Sequence, residues 1–299
     1  MPISLVETLA NAVGPLRVSG AVEGYDAGLI ARAALLRGGV TLHVARDDAQ
    51  ASSFLAAVRF YAPSLPVLRL PAWDCLPYDR VGPAPEISAT RLSTLTQLIR
   101  RKEGDAPVLV LTTGASLLQR VAPRDRLRAA SFSARPGQIL DVSVIQAYFA
   151  ANGYVRTATV RERGDFAIRG GVIDLFPPEL PEPVRLDLFG DTLESIRSFD
   201  PETQRSTHQL QGVVLAPVSE AILDDVAASR FRLGYLELFG AAQGDPLYEA
   251  VTKRMRRNGM EHWLPLFHEH METVFDYVGR DALISLDPHA MDAATERAA

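Results

Sequence analysis

Apolar residues in the first 125 positions fall into two textures: short continuous runs, and stripes at helical spacing. Residues 39–45, 66–70 and 107–113 are short runs rich in Val and Leu, bounded by Gly or Pro, as expected of strands buried on both faces. The segments 27–37 and 47–62 between them read as helices, and 114–119 starts another. In 87–101, Leu92, Leu95 and Leu98 or Ile99 recur at helical spacing while Arg91, Gln97 and Arg100 take other directions, predicting an amphipathic helix. Strand–helix alternation of this kind predicts an α/β class built on a parallel sheet.

The texture changes at 126–135, where Arg, Ala and Ser dominate and the stretch ends in Arg135-Pro136-Gly137-Gln138. A helix over 142–152 follows, then strands at 166–176, 184–189 and 192–199. Gly190-Asp191 has the turn chemistry for a tight hairpin between the last two, so the group reads as an antiparallel meander. Residues 212–217 return to a buried-strand texture, and 220–299 read as mainly helical with loops, the Ala-rich tail after Pro288 as a frayed or truncated end. The expected organisation is one α/β lobe from 1–125 and 213–299, interrupted by a small α+β domain over 126–212.

Composition narrows the function classes. With 47% hydrophobic and 22% charged residues the chain is a folded globular type rather than a disordered one. A net charge of −5 argues against a surface dominated by phosphate binding, which leaves room only for a local basic patch. A single cysteine, Cys75, excludes an internal disulfide and a cysteine-cluster metal site, and no secretory signal is evident; a cytoplasmic protein is expected.

Catalytic signatures are thin. Residues 22–28, Val-Glu-Gly-Tyr-Asp-Ala-Gly, lead into a helix and invite a phosphate-loop reading that begins at Gly24. Such a loop needs a Lys on the β- and γ-phosphates and a hydroxyl on Mg²⁺; Ala27 and Gly28 stand in those places. Glu23 and Asp26 add negative charge, so a turn and helix start with Asp26 as N-cap is the simpler account. His268-Glu269-His270 lacks the two-histidine spacing of a zinc helix, and no metal site is expected there or elsewhere. The run Lys253-Arg254-Met255-Arg256-Arg257 reads as a solvated helix face before it reads as a DNA contact.

Three ordered motifs carry a resemblance. Residues 70–79, Leu-Pro-Ala-Trp-Asp-Cys-Leu-Pro-Tyr-Asp, continue through Pro83, Ile87 and 91–95. Residues 169–177 read Arg-Gly-Gly-Val-Ile-Asp-Leu-Phe-Pro, and 185–191 read Arg-Leu-Asp-Leu-Phe-Gly-Asp, with Ser-Phe-Asp-Pro-Glu-Thr-Gln-Arg over 198–205. Together with 261–267 they cover nearly the whole chain and resemble the N-terminal, UvrB-like part of bacterial transcription-repair coupling factors.

That resemblance implies a degenerate RecA-like, UvrB-type lobe with an inserted UvrA-binding domain. It implies no nucleotide hydrolysis and no cofactor in this region, ATP and Mg²⁺ serving motor domains elsewhere in a longer chain that also holds the RNA polymerase and DNA contacts. Residue by residue it points to Arg169, Arg185 and Phe189 as the UvrA-contacting positions. Strand alternation agrees in part, because Val184, Leu186 and Leu188 share one face and Arg185, Asp187 and Phe189 the other. Composition alone balances this against Phe189 packed under a loop with Arg185 paired to Asp187 or Glu194. Trp73, Tyr78, Leu92 and Leu95 read as packing residues. The rival to a docking module is an ATP-dependent, helicase-type lobe that contacts DNA directly.

Overall fold

The computed structural model describes residues 4–22, 24–76 and 81–298. From the N-terminus come helices α1 (Leu5–Ala10) and α2 (Tyr25–Arg37), strand β1 (Val40–Ala45), α3 (Asp48–Tyr61), β2 (Val67–Leu70), α4 (Pro85–Arg100) and β3 (Val108–Thr113). Short helices α5 (Gly114–Leu117) and α6 (Arg124–Ala129) precede β4 (Phe132–Ala134), α7 (Val142–Asn152) and β5 (Val155–Arg156). Then follow β6 (Asp165–Arg169), β7 (Val172–Leu175), β8 (Val184–Phe189), β9 (Thr192–Phe199), β10 (Ser206–Leu210) and β11 (Val213–Leu215). Helices α8 (Asp225–Phe239), α9 (Pro246–Thr252), α10 (Leu264–Phe267) and α11 (Val274–Val278), strand β12 (Leu283–Leu286) and α12 (Ala290–Ala298) complete the chain.

The chain divides into two compact units: Met1–Ala72 with Gln97–Arg120 and Thr273–Ala299, and Trp73–Thr96 with Val121–Glu272. The first holds a four-stranded, all-parallel sheet in the order β12-β1-β3-β2. β3 is buried at every position and its Thr112 hydroxyl donates to the Leu70 carbonyl at 2.7 Å, so a central strand with two threonines leaves neither face wet. The sequence signals for β1, β2 and β3 correspond to the strands observed. The fourth strand, β12, lies in a stretch expected to be helix and loop; its side chains alternate between half-buried and exposed, which removes the continuous apolar run that marked the others. The tail after Pro288, expected to fray, is helix α12. It packs on α5 so closely that a Cβ on Gly114 would collide with the Ala290 carbonyl.

In the second unit, the six strands β10-β9-β8-β7-β6-β5 form a sheet that is antiparallel except for the β5–β6 pair. One face carries Phe166, Ile173, Leu175, Val184, Leu186 and Ile196 into a core shared with Ile145 and Phe149 of α7. Helix α7 has its expected bounds because Asp141 caps it and Gly153, at φ +90°, ends it. The apolar stretch 166–176 is a hairpin rather than one strand: β6 and β7 are joined through Gly170, at φ +58°, and Gly171. Strand β11 does not rejoin the parallel sheet. It pairs antiparallel with β4, and Val213 and Leu215 sit in the same core as α7. The expected boundary at 212 therefore cuts through one core, and residues up to Glu272 group with this unit.

A second cluster in this unit gathers Phe231, Tyr235, Val251, Met260, Leu264 and Phe267, with Trp73 packed against it. Leu92 and Leu95 are fully buried, as a core role requires; Tyr78 lies outside the described residues. Arg91, off the leucine stripe, is buried as completely as they are. Its Nε donates to Glu220 Oε1 at 2.7 Å, and its guanidinium lies 5.7 Å from the centre of the Trp73 ring. No described helix is long and apolar enough to cross a membrane.

Candidate functional site

The second face of the six-stranded sheet collects the side chains that the other face excludes. Ala167, Phe176 and Phe199 make a small apolar patch there with Val160. Around it, β6 contributes Arg169, β7 Asp174, β8 Arg185 and Asp187, and β9 Arg197. Asp174 stands opposite Arg185 in the β7–β8 register, and Arg185 opposite Arg197 in β8–β9. Cross-strand neighbours lie within reach of long side chains, so charge is placed here by register.

Asp174 organises the group. Its carboxylate is 1% exposed and accepts from two arginines: Arg185 Nε at 2.7 Å and Nη2 at 3.0 Å in a fork, and Arg169 Nη2 at 2.6 Å. The Arg185 guanidinium also lies 4.9 Å over the Phe199 ring. The hydrogen bonds that Arg185 donates to Asp174 push it further above its already high ordinary pKa. Arg169 is half-exposed and Arg185 largely covered. Asp187, in turn, accepts from Arg197 at 2.8 Å and from the Ser195 hydroxyl at 2.8 Å.

Phe189 ends β8, paired with Thr192 across the Gly190-Asp191 turn, where Gly190 takes φ +61°. The ring is 81% exposed. Neither half of the alternative in the sequence holds: no loop covers Phe189, and Arg185 pairs with Asp174 rather than with Asp187 or Glu194. The structure brings Arg169 and Arg185 together on one carboxylate and sets Phe189 at the end of the same strand. Asp174 was missed in the sequence because an Asp inside an apolar strand signals its partners only once the register is known.

The hairpin turn ties the parts together. Leu188 donates its N–H to the Gly171 carbonyl at 2.7 Å, and a Cβ on Gly171 would come within 2.6 Å of the Leu188 carbonyl. Close backbone approach accounts for Gly171, and the positive φ of the turn for Gly170.

The other positions singled out in the sequence lie elsewhere. Gly24, at φ +84°, is the N-cap of α2, while Asp26 lies inside its first turn and makes no cap. Ala27 is fully buried in the core formed by α2, α3 and the parallel sheet, and a Cβ on Gly28 would meet the Tyr61 ring at 3.1 Å. No strand precedes α2 among the described residues, whereas a phosphate loop runs from a strand into its helix.

Residues 253–257 are not a helix face. Lys253 caps α9, Arg254 pairs with Asp225, and Arg256 turns inward to the Ala221 carbonyl at 2.9 Å, burial lowering its pKa. His268 is buried with Nε2 2.9 Å from the Glu220 carbonyl; His262 contacts the Val81 carbonyl at 2.9 Å. Among the described residues no group of His, Cys, Asp and Glu could hold a metal ion.

Residues 132–220 match the family described as the UvrB interaction domain. Over most of its length the chain is similar to transcription-repair-coupling factors. It is 34% identical to that of Haemophilus influenzae, over 80% of this chain and 21% of the relative. It is 32% identical to that of Escherichia coli, over 95% and 25%, and 35% identical to that of Myxococcus xanthus, over 79% and 20%. The chain thus spans about a fifth to a quarter of the length of these curated relatives. With the UvrB interaction domain falling on β4 through β11, this chain belongs with the transcription-repair-coupling factors, as a UvrB-like module of that family.

Proposed function

We propose that the face bearing Arg169, Arg185 and Phe189 docks UvrA, and that the module serves to recruit UvrA to stalled RNA polymerase for nucleotide excision repair. The observation that carries this reading is Phe189, a large apolar residue 81% exposed at the end of the strand that carries Arg185, while Arg185 and Arg169 are already held on Asp174. Aromatic and arginine side chains together are the usual composition of interface hot spots. Arg169 and Arg185 share one carboxylate, which leaves this cluster with net positive charge for acidic groups of the partner.

The reading assigns no nucleotide hydrolysis and no cofactor to this region. Its support is local: the positions where a phosphate loop needs a Lys and a hydroxyl are Ala27, inside a core, and Gly28, against Tyr61. ATP, Mg²⁺, RNA polymerase and DNA are assigned to other parts of a longer, cytoplasmic protein. A DNA contact through Lys253–Arg257 is not favoured, because Arg254 and Arg256 are engaged within the protein.

The test is a titration of purified UvrA with the wild-type chain and with Arg185→Ala and Phe189→Ala variants. Each truncation is expected to weaken binding by about 1–3 kcal/mol. Undiminished binding by correctly folded variants overturns the assignment.

A further inference from the structure

We infer that Asp174 is the positioning residue of the docking face, fixing the two arginines before the partner arrives. The inference rests on the docking reading above. Arg169 and Arg185 lie on different strands, and each carries a long side chain that would lose freedom on binding. Both instead converge on one carboxylate, Arg169 Nη2 and Arg185 Nη2 sharing Oδ2 at 2.6 and 3.0 Å while Arg185 Nε takes Oδ1. The acid that both arginines share is placed by strand register. Asp174 is the register partner of Arg185, its side chain is 1% exposed, and Phe199 closes the far side of the Arg185 guanidinium.

The electrostatic consequence follows from counting. Two guanidinium groups that share a ligand atom would repel if the carboxylate were absent; with it, they are held together at a net charge of +1. The bond is also a fork for Arg185, which sets the plane of that guanidinium as well as its place. Asp174 itself is covered, so it reaches a partner only through the arginines.

The experiment compares UvrA binding by wild type, Asp174→Asn, Phe189→Ala, Arg169→Ala/Arg185→Ala, and the triple variant that adds Asp174→Asn to the double-alanine chain, with thermal unfolding recorded for each. Asparagine keeps the shape and removes the charge. Asp174→Asn should weaken binding roughly tenfold and should have no further effect in the double-alanine background. Equal losses in both backgrounds would mean a general structural role and overturn the inference. Wild-type affinity in Asp174→Asn, with Phe189→Ala and the double-alanine variant impaired, overturns it while leaving the docking face standing. Wild-type affinity in all of them removes the docking face and the inference with it. Should Asp174→Asn fail to fold, the Arg185 Nε–H proton in the wild-type chain decides: slow exchange with solvent is expected, and fast exchange overturns the fixed geometry.

Discussion

The guanidinium of Arg91 meets the carboxylate of Glu220 at 2.7 Å, with side-chain exposures of 0% and 3%. The same Glu220 accepts from the Ala122 N–H through Oε2 at 3.3 Å, and its own carbonyl bonds His268. Helix α4 is thereby fastened to the segment that follows β11. Removing one partner leaves the other charge buried, so Arg91→Ala and Glu220→Ala should each cost about 3–5 kcal/mol. Replacing both with apolar residues of similar size should cost far less. Denaturant unfolding of the two single variants and the double variant measures the difference, and equal losses for all three would refute the pairing as the cause.

The two glycines of the β6–β7 turn should respond differently to substitution. At Gly170 an added Cβ meets nothing, but the backbone is at φ +58°, so Gly170→Ala should cost about 1 kcal/mol. At Gly171 the added Cβ would lie 2.6 Å from the Leu188 carbonyl, where backbone must move. Gly171→Ala should therefore cost about 1–3 kcal/mol and lower UvrA affinity as well, because Leu188 adjoins Phe189. Thermal unfolding together with binding titration separates the two effects.

Restoring the missing phosphate-loop side chain should damage the protein rather than confer nucleotide binding. Ala27 is 0% exposed, and a lysine there would bury its stem and leave its charge without a partner. Ala27→Lys should destabilise the chain by about 3 kcal/mol or more. Nucleotide titration monitored by calorimetry should show no heat of binding for either form, and binding by the wild type would reverse the reading of this region.

His43 makes folding sensitive to acid. It is buried, stacks on Phe54 with ring centres 3.7 Å apart, and has its pKa lowered by burial from 6.5 to about 3. Between those values the unfolded chain binds the proton and the folded chain does not, so stability falls as pH drops through 6.5 and continues to fall toward 3. The expected slope from this one group is about 1.4 kcal/mol per pH unit. His268, also lowered by burial, adds in the same direction. Urea unfolding at several pH values should show a shallower dependence for His43→Asn than for wild type; parallel curves would exclude His43 as a source.

What the sequence made legible was whatever depends on local period. The strands at 40–45 and 108–113, helix α7 and the alternation along Val184–Phe189 are all written in the spacing of apolar residues. Arg91, β12 and α12 are not, because each depends on a partner distant along the chain: Glu220 for the first, β1 for the second, α5 for the third. The same limit applied on the second face of the six-stranded sheet. Alternation put Arg185 and Phe189 on one side of a strand, but only the register of three strands identified Asp174 as the residue both arginines share.

Phe189 bears on how this protein would respond to being made more robust. A ring left in water at a hairpin end contributes little to folding and offers a sticky contact to any apolar surface it meets. Selection for solubility or heat tolerance alone would favour a polar residue in its place and meet no resistance from the core. Selection for partner capture would keep it. Variants gathered under the first pressure should therefore lose the aromatic ring at this position while β8 and its register remain intact, separating a fold that endures from a surface that still recognises.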